Sequence, residues 1–245
     1  MLIACKIKKI FAFMKICCNF VSKYISKAMN TIQVPFSAEL QNMTIEQINA
    51  LIDDLGVSLS VDQVNWKKQY PYKPLTRATL VRTEQMFYIK WHVNGIMLKA
   101  RYTDDMQPVN EDSCVEFFCL LPDGRHYINF EFNCIGTCSA KRRLSRTEDV
   151  VPLSKSELES IVRYSSLGRR PFCEIDGQFT WDLLVGIPLS LFMQKNEQGA
   201  YSGIVRANFY KCADDTSAKH YLSWVPIRTE SPDFHCTRYF GEVRF

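Results

Sequence analysis

The sequence predicts an all-β fold with minor α content, an antiparallel β-sandwich carrying one or two short peripheral helices. Two observations predict it. First, eight short segments with strand character follow one another with turn signals between them, the pattern of a sandwich. Second, in Tyr127–Asn133 the residues Tyr127, Asn129, Glu131 and Asn133 alternate with Ile128, Phe130 and Phe132. A period of two places these sets on opposite faces of one strand. One face is apolar; the other carries an aromatic, two amides and a carboxylate, groups suited to a polyhydroxylated ligand.

At 245 residues, with 47% hydrophobic and 23% charged residues, the chain can build a substantial core. Its net charge of +4 originates at the N-terminus: residues 1–38 hold six lysines and no acid, which leaves 24 basic against 26 acidic residues in the remainder. A body of charge −2 has no general electrostatic attraction for nucleic acid, so none is expected as a partner. The division expected is a basic extension over residues 1–38, unstructured or arising from a start upstream of Met29, followed by a single domain over residues 39–245. Within the extension Lys15 interrupts the apolar stretch Ile10–Val21 and no clean cleavage site follows, so an export signal fits poorly. A membrane-surface helix is the remaining alternative, and membrane contact is expected only if that extension is genuine. Among the ten cysteines, Cys114, Cys119 and Cys134 lie in apolar runs, where a thiol acts as a small hydrophobe. Cys134 and Cys138 lack a second ligand pair, so no metal site is expected. Free thiols favour a reducing, cytoplasmic setting over export.

Taken in order, the first regular element is a helix over Thr44–Gly56. Thr44 and Gln47 form a capping box, Ile45, Ile48, Ile52 and Leu55 an apolar stripe, and Gly56 suits a left-handed C-terminal cap. It is expected to pack on an edge or end of the sandwich. Trp66, Tyr70-Pro71-Tyr72 and Pro74 make an irregular aromatic segment. Strands are then expected at Phe87–Val93 and Ile96–Tyr102, joined by an Asn94-Gly95 hairpin, and at Cys114–Leu121 and Tyr127–Asn133, joined by the Pro122-Asp123-Gly124 turn. The run Lys141-Arg142-Arg143-Leu144-Ser145-Arg146 reads as a solvated loop, the alternative being a site for an acidic ligand. A second helix is expected from Ser154 to Tyr164. Further strands are expected at Phe179–Ile187, Gly203–Lys211, His220–Val225 and Tyr239–Phe245.

Alternation within each strand sorts side chains by face. Arg101 falls with Lys99 and Thr103, Glu116 with Cys114 and Phe118, and Arg206 and Asn208 with Tyr210. A carboxylate in so apolar a strand must meet a cation, donors or a ligand. Arg101 and Arg206 are the cations at hand. If these faces share a sheet, they assemble Arg101, Glu116, Tyr127, Asn129, Glu131, Asn133, Arg206 and Asn208, with Trp224 or Trp91 as a stacking platform. Such a set holds sugars, since carboxylates and amides accept hydroxyl protons while Arg donates to ring and hydroxyl oxygens. It serves equally as an internal polar network stiffening the sheet.

Asp112-Ser113-Cys114-Val115-Glu116-Phe117-Phe118, the Tyr127–Asn133 strand with Gly136, Trp181-Asp182-Leu183 leading to Ile187-Pro188, Ala207-Asn208-Phe209, Ser223-Trp224-Val225-Pro226, and Phe234-His235 before Tyr239-Phe240-Gly241 occur in that order. This ordered set resembles the family 9 carbohydrate-binding module and its stand-alone bacterial relatives, over about residues 60–245. The resemblance implies a β-sandwich of the carbohydrate-binding-module type that engages a mono- or oligosaccharide without cleaving it, with Glu116, Asn208 and Trp224 at positions the family uses. Pro108, Val109 and Asn110 stand where a second, clamping tryptophan would be. No cofactor is expected; the alternative is a structural calcium held by Asp104, Asp105, Glu111 and Asp112. Two other functions are weighed: a glycan-directed hydrolase using Glu116 and Glu131 as its carboxyl pair, and an interaction module that has lost its sugar site. The discriminating expectation is that Arg101, Glu116, Asn208 and Trp224 converge on one open hollow.

Overall fold

The structure is a computed structural model that describes residues 31–245, of which Gln33–Phe245 form one compact unit. The expectations for the start site, leader or membrane-surface helix of residues 1–27 lie outside the described residues. The sandwich begins earlier than residue 39. Following β1 (Thr31–Gln33), the Val34 N–H donates to the Arg244 carbonyl at 2.8 Å and the Ser37 N–H to the Arg82 carbonyl at 2.8 Å, which ties this segment into the body.

Two antiparallel sheets form the sandwich. One runs β14 (Gly241–Arg244), β12 (Ile204–Cys212), β6 (Cys114–Leu120), β7 (Tyr127–Asn133), β8 (Cys138–Arg143), β9 (Val151–Pro152), with β13 (Tyr221–Ser223) also pairing β12 and β3 (Gln63–Val64) pairing β13. The other runs β10 (Val162–Ser165), β11 (Phe172–Pro188), β5 (Met86–Ala100), β4 (Leu75–Arg82), β2 (Val57–Ser60). Between them lies a phenylalanine-rich core. Phe117 on β6 meets Phe87 of β5 at 5.4 Å between ring centroids and Phe209 of β12 at 5.1 Å, while Trp91 meets Phe209 at 5.9 Å.

Helix α1 (Ile45–Leu55) has the predicted capping box: the Thr44 hydroxyl accepts from the Gln47 N–H and the Gln47 amide oxygen from the Thr44 N–H. It lies on the outer face of the second sheet, not on an edge or end, with Ile48 and Ile52 buried against Val81, Tyr88 and Leu184. Gly56 is extended (φ −95°) instead of left-handed. A glycine is needed there because a Cβ would come within 2.6 Å of Thr79 Cγ2.

The Asn94-Gly95 hairpin does not form. Both halves belong to the single 15-residue strand β5, which pairs with β11 through two register shifts, Phe179 lying opposite Gly95 and Asp176 opposite Met97. Those irregularities let a long strand bend across the sheet without reversing. Tyr72 explains the glycine: its hydroxyl accepts the Ile96 N–H at 2.8 Å and would stand 2.6 Å from a Cβ at position 95. The partner that forms a hairpin with β5 is β4, whose signal the aromatic segment before it obscures. The second helix is also shorter than expected. α2 (Lys155–Glu159) has its own capping box at Ser154, but Val162–Ser165 leave it to pair with Leu183–Gly186 as β10. The Tyr127–Asn133 strand forms over the predicted residues, with Ile128, Phe130 and Phe132 fully buried, and Gly124 closes the turn before it at φ +69°.

Candidate functional site

The outer face of the first sheet is partly roofed. Trp66, Phe118, Tyr127, Tyr210, Phe234 and Phe240 make a second buried aromatic cluster there, built from strand side chains and the loops before β4 and after β13. Beside this cluster the roof opens into a pocket of about 460 Å³ lined by Glu116, Glu131, Ser139, Lys141, Arg143, Arg146, Cys212, Asp214, Tyr221, Phe234 and His235, with Met106–Pro108 and Asn110 on one rim. The size lies within the range of small-molecule sites, about 300–1,000 Å³.

Register explains why these groups meet. Glu116 lies directly opposite Glu131; Ser139, Lys141 and Arg143 of β8 lie opposite Glu131, Asn129 and Tyr127; and Tyr210 and Cys212 of β12 lie opposite Glu116 and Cys114. All point to one side because paired residues share a face. Burial, reinforced by the facing Glu131, raises Glu116 well above the ordinary carboxylate range. Glu131 is raised by burial too, while the Asn129 amide and the charges of Lys141 and Arg143 work against that rise. The pair therefore holds fewer negative charges than two free carboxylates.

A polar relay fixes the cations. Arg143 Nε donates to Asn129 Oδ1 at 2.9 Å, Asn129 Nδ2 donates to Glu131 Oε1 at 2.7 Å, and Arg143 also donates to the Arg146 carbonyl at 2.6 Å. Arg146 reaches Asp233 at 3.0 Å. Opposite them, the Tyr127 hydroxyl pairs with His235 Nδ1 at 2.8 Å, and burial lowers His235 to about 3, so its ring is neutral.

The expected hollow shared by Arg101, Glu116, Asn208 and Trp224 does not form. Glu116 and Glu131 line the pocket, with Asn129 and Tyr127 behind it as supports. Asn133 is fully buried, donating to the Tyr102 carbonyl at 2.8 Å and to Asp112 at 3.0 Å. Asn208 is equally buried, donating to the Val225 carbonyl and accepting the Val225 N–H. Arg101 is exposed and pairs with Glu111 at 2.7 Å, and Arg206 donates to the Phe240 carbonyl at 2.8 Å. Neither meets Glu116, whose Oε1 instead accepts the Cys212 thiol at 3.0 Å. Trp91 is sealed in the core. Trp224, half-buried in the bend that follows β13, sits edge-on to the inward-facing Phe209 at 5.7 Å and does not line the pocket.

The basic run holds what sequence reasoning assigned to solvent. Lys141 and Arg143 lie on β8, and with Arg146 they line the pocket. Their alternation about Arg142 was the available signal, masked by the unbroken string of charge. Asp214 arrives from a loop without a local signal, Tyr221 comes from the predicted strand now seen as β13, and Phe234-His235 were legible as a motif but not as pocket residues. Of the acids considered for calcium, Asp105 pairs with Arg163 at 2.7 Å, Glu111 with Arg101 at 2.7 Å, and Asp112 accepts the Arg101 and Tyr102 N–H groups through one oxygen. The seven cysteines among the described residues are free thiols.

Comparison with known proteins places this geometry in context. The family model described as carbohydrate-binding family 9 matches residues 46–245. A candidate carbohydrate-binding protein from Bacteroides uniformis, known as a crystal structure, is 33% identical over 88% of this chain and 99% of its own, with a TM-score of 0.81. A family 9 module from Caldicellulosiruptor kristjanssonii, solved with glucose, is 13% identical over 87% of this chain and 94% of its own, with a TM-score of 0.55. A cellotriose complex of such a module from that organism gives 12% identity, coverages of 87% and 92%, and a TM-score of 0.54. At those identities the last two establish likeness of fold alone. No curated protein matches the chain.

Proposed function

The chain belongs to carbohydrate-binding family 9, and we propose that it binds a mono- or oligosaccharide, without cleaving it, in the pocket floored by Glu116 and Glu131. One observation carries the reading: two carboxyl groups, Lys141, Arg143 and Asp214 converge on a single open cavity on the outer face of a family 9 sandwich. Sugar hydroxyls donate to carboxyl oxygens and accept from cations, so a mixed acid–base lining suits them better than either charge alone. Tyr221 and Phe234 replace the tryptophan clamp as the apolar wall. The glucose and cellotriose complexes of the C. kristjanssonii modules supply the first ligands to try.

Titration calorimetry across glucose, cello-oligosaccharides and a wider sugar panel tests the proposal. Arg143→Ala and Glu131→Gln are expected to weaken binding by about 10–100-fold, the loss of a hydrogen bond to a charged group. Trp224→Phe is expected to leave affinity unchanged, because that residue does not line the pocket. Silence with every sugar overturns the reading.

The direct opposition of Glu116 and Glu131 favours one alternative, a hydrolase using the two as acid and nucleophile. Turnover of chromogenic glycosides that Glu131→Gln abolishes would replace binding with catalysis.

A further inference from the structure

At the floor of the pocket, cross-strand pairing brings two thiols and a carboxyl group side by side. Cys114 and Cys212 are direct cross-strand partners on β6 and β12, and Glu116 shares their face two residues along from Cys114. Glu116 Oε1 stands 3.0 Å from Cys212 Sγ and 3.9 Å from Cys114 Sγ, and the three ligand atoms all fall within 4.8 Å of one another, each on a buried residue. For a tetrahedral zinc ion with bonds of about 2.3 Å to sulfur and about 2.1 Å to oxygen, the corresponding edges are about 3.8 Å between sulfurs and about 3.6 Å between sulfur and oxygen. The two observed sulfur–oxygen spacings lie on either side of that edge.

We infer that Cys114, Glu116 and Cys212 form a binding site for a thiophilic divalent cation of the zinc class, its remaining coordination position open to the pocket. Two thiols discriminate against calcium and magnesium, which prefer oxygen shells. Binding displaces the two thiol protons and any proton on Glu116 to solvent, leaving two thiolates and a carboxylate around a doubly charged ion. Lys211, on the opposite face of β12, is buried and its pKa is lowered by that burial; its Nζ donates to the Cys212 carbonyl at 2.7 Å. A second observation points to the same spot. Asp214 lines the pocket beside Tyr221, with its Oδ2 held by Asn110 at 2.9 Å, and its charge acts on both Glu116 and Cys212. A cation at the open position, or water bound to one, would offset the repulsion among these buried acids. The access route is the pocket itself, which Glu116 and Cys212 both reach.

The test uses the full-length chain, freed of metal by a chelator and kept reduced, titrated with Co²⁺ and then Zn²⁺. One equivalent of Co²⁺ is expected to produce a thiolate-to-cobalt charge-transfer band with the strong visible bands of tetrahedral coordination, and Zn²⁺ is expected to displace it. Cys114→Ser, Cys212→Ser and Glu116→Gln are each expected to lower affinity by more than the about 10–100-fold typical of an outer-shell partner. Cys119→Ser, equally buried but on the inner face, is expected to behave as the parent. Circular dichroism confirms that each variant is folded; the isosteric Glu116→Gln keeps the test decisive if a serine variant fails to fold. Absence of the band, or its survival in the folded Glu116→Gln and cysteine variants, overturns the inference. The readout involves no sugar, so it stands or falls apart from the carbohydrate titrations.

Discussion

His235 shows how a single residue ties the pocket to the stability of the whole chain. Its Nδ1 accepts from the Tyr127 hydroxyl, and its ring lies 5.1 Å from that of Phe118. Burial first, then the charges of Arg146, Arg143 and Lys141, hold its pKa at about 3, with Asp233 opposing them. Protonation would reverse the Tyr127 hydrogen bond and place a buried charge beside three cations. The sign follows from linkage: the unfolded chain takes up a proton as the pH falls through about 6.5, while the fold refuses it until about 3. Stability is therefore lost progressively between those values. His220, buried beside Lys211 and lowered well below its ordinary value, acts in the same direction. Glu116 and Glu131, raised by burial, act in the opposite sense, so the test is comparative: from pH 7 to pH 5 the denaturant midpoint of His235→Asn is expected to fall less, or rise more, than that of the parent. An unchanged slope would mean that His235 is protonated in the folded protein.

At the scale of elements, the contrast between β5 and β7 separates what local pattern determines from what neighbours determine. Strand β7 was legible because alternation there is unbroken and its inner residues are all large and apolar. The Asn94-Gly95 turn was misread because the dipeptide satisfies two demands, a tight reversal or a close approach, and only the position of Tyr72 decides between them. This has a consequence that can be measured. Gly95→Ala places a methyl group 2.6 Å from the Tyr72 hydroxyl, which the Ile96 N–H and an edge contact with His220 at 5.1 Å hold in place. The expected loss is about 1–3 kcal/mol of stability, as for other overpacked sites. Tyr72→Phe removes the clashing oxygen, so in a double-mutant cycle it is expected to recover part of that loss; strict additivity would refute the close-approach account. The pocket itself was half legible. Glu116 and Glu131 follow from strand phase alone, whereas Lys141 and Arg143 become pocket residues only once β8 is known to pair with β7. Trp224 lies outside the pocket lining for the converse reason: its motif was recognised, but it stands in the bend after a three-residue strand, where alternation no longer sets its face.

For the molecule as a whole, the sandwich carries two aromatic assemblies on opposite sides of one sheet, and they serve different ends. The inner one, centred on Phe117, joins the sheets. The outer one, in which Phe234 stacks on Tyr210 with centroids 4.2 Å apart and planes at 10°, roofs the polar face and stops where the pocket begins. Roofing explains why Tyr127, Asn129, Asn133 and Asn208 are buried although their face is polar. It also leaves one opening through which Glu116 and Glu131 are reached. Phe117→Ala and Phe234→Ala are each expected to destabilise the fold by about 3–5 kcal/mol, the usual cost of emptying a buried phenylalanine site. Only Phe234 lines the pocket. In the fraction that remains folded, sugar affinity should therefore be unchanged by Phe117→Ala and lost with Phe234→Ala, as read by calorimetry at low temperature alongside urea unfolding. Equal loss in both would show that the pocket depends on the packing between the sheets, and that the outer cluster is not an independent wall.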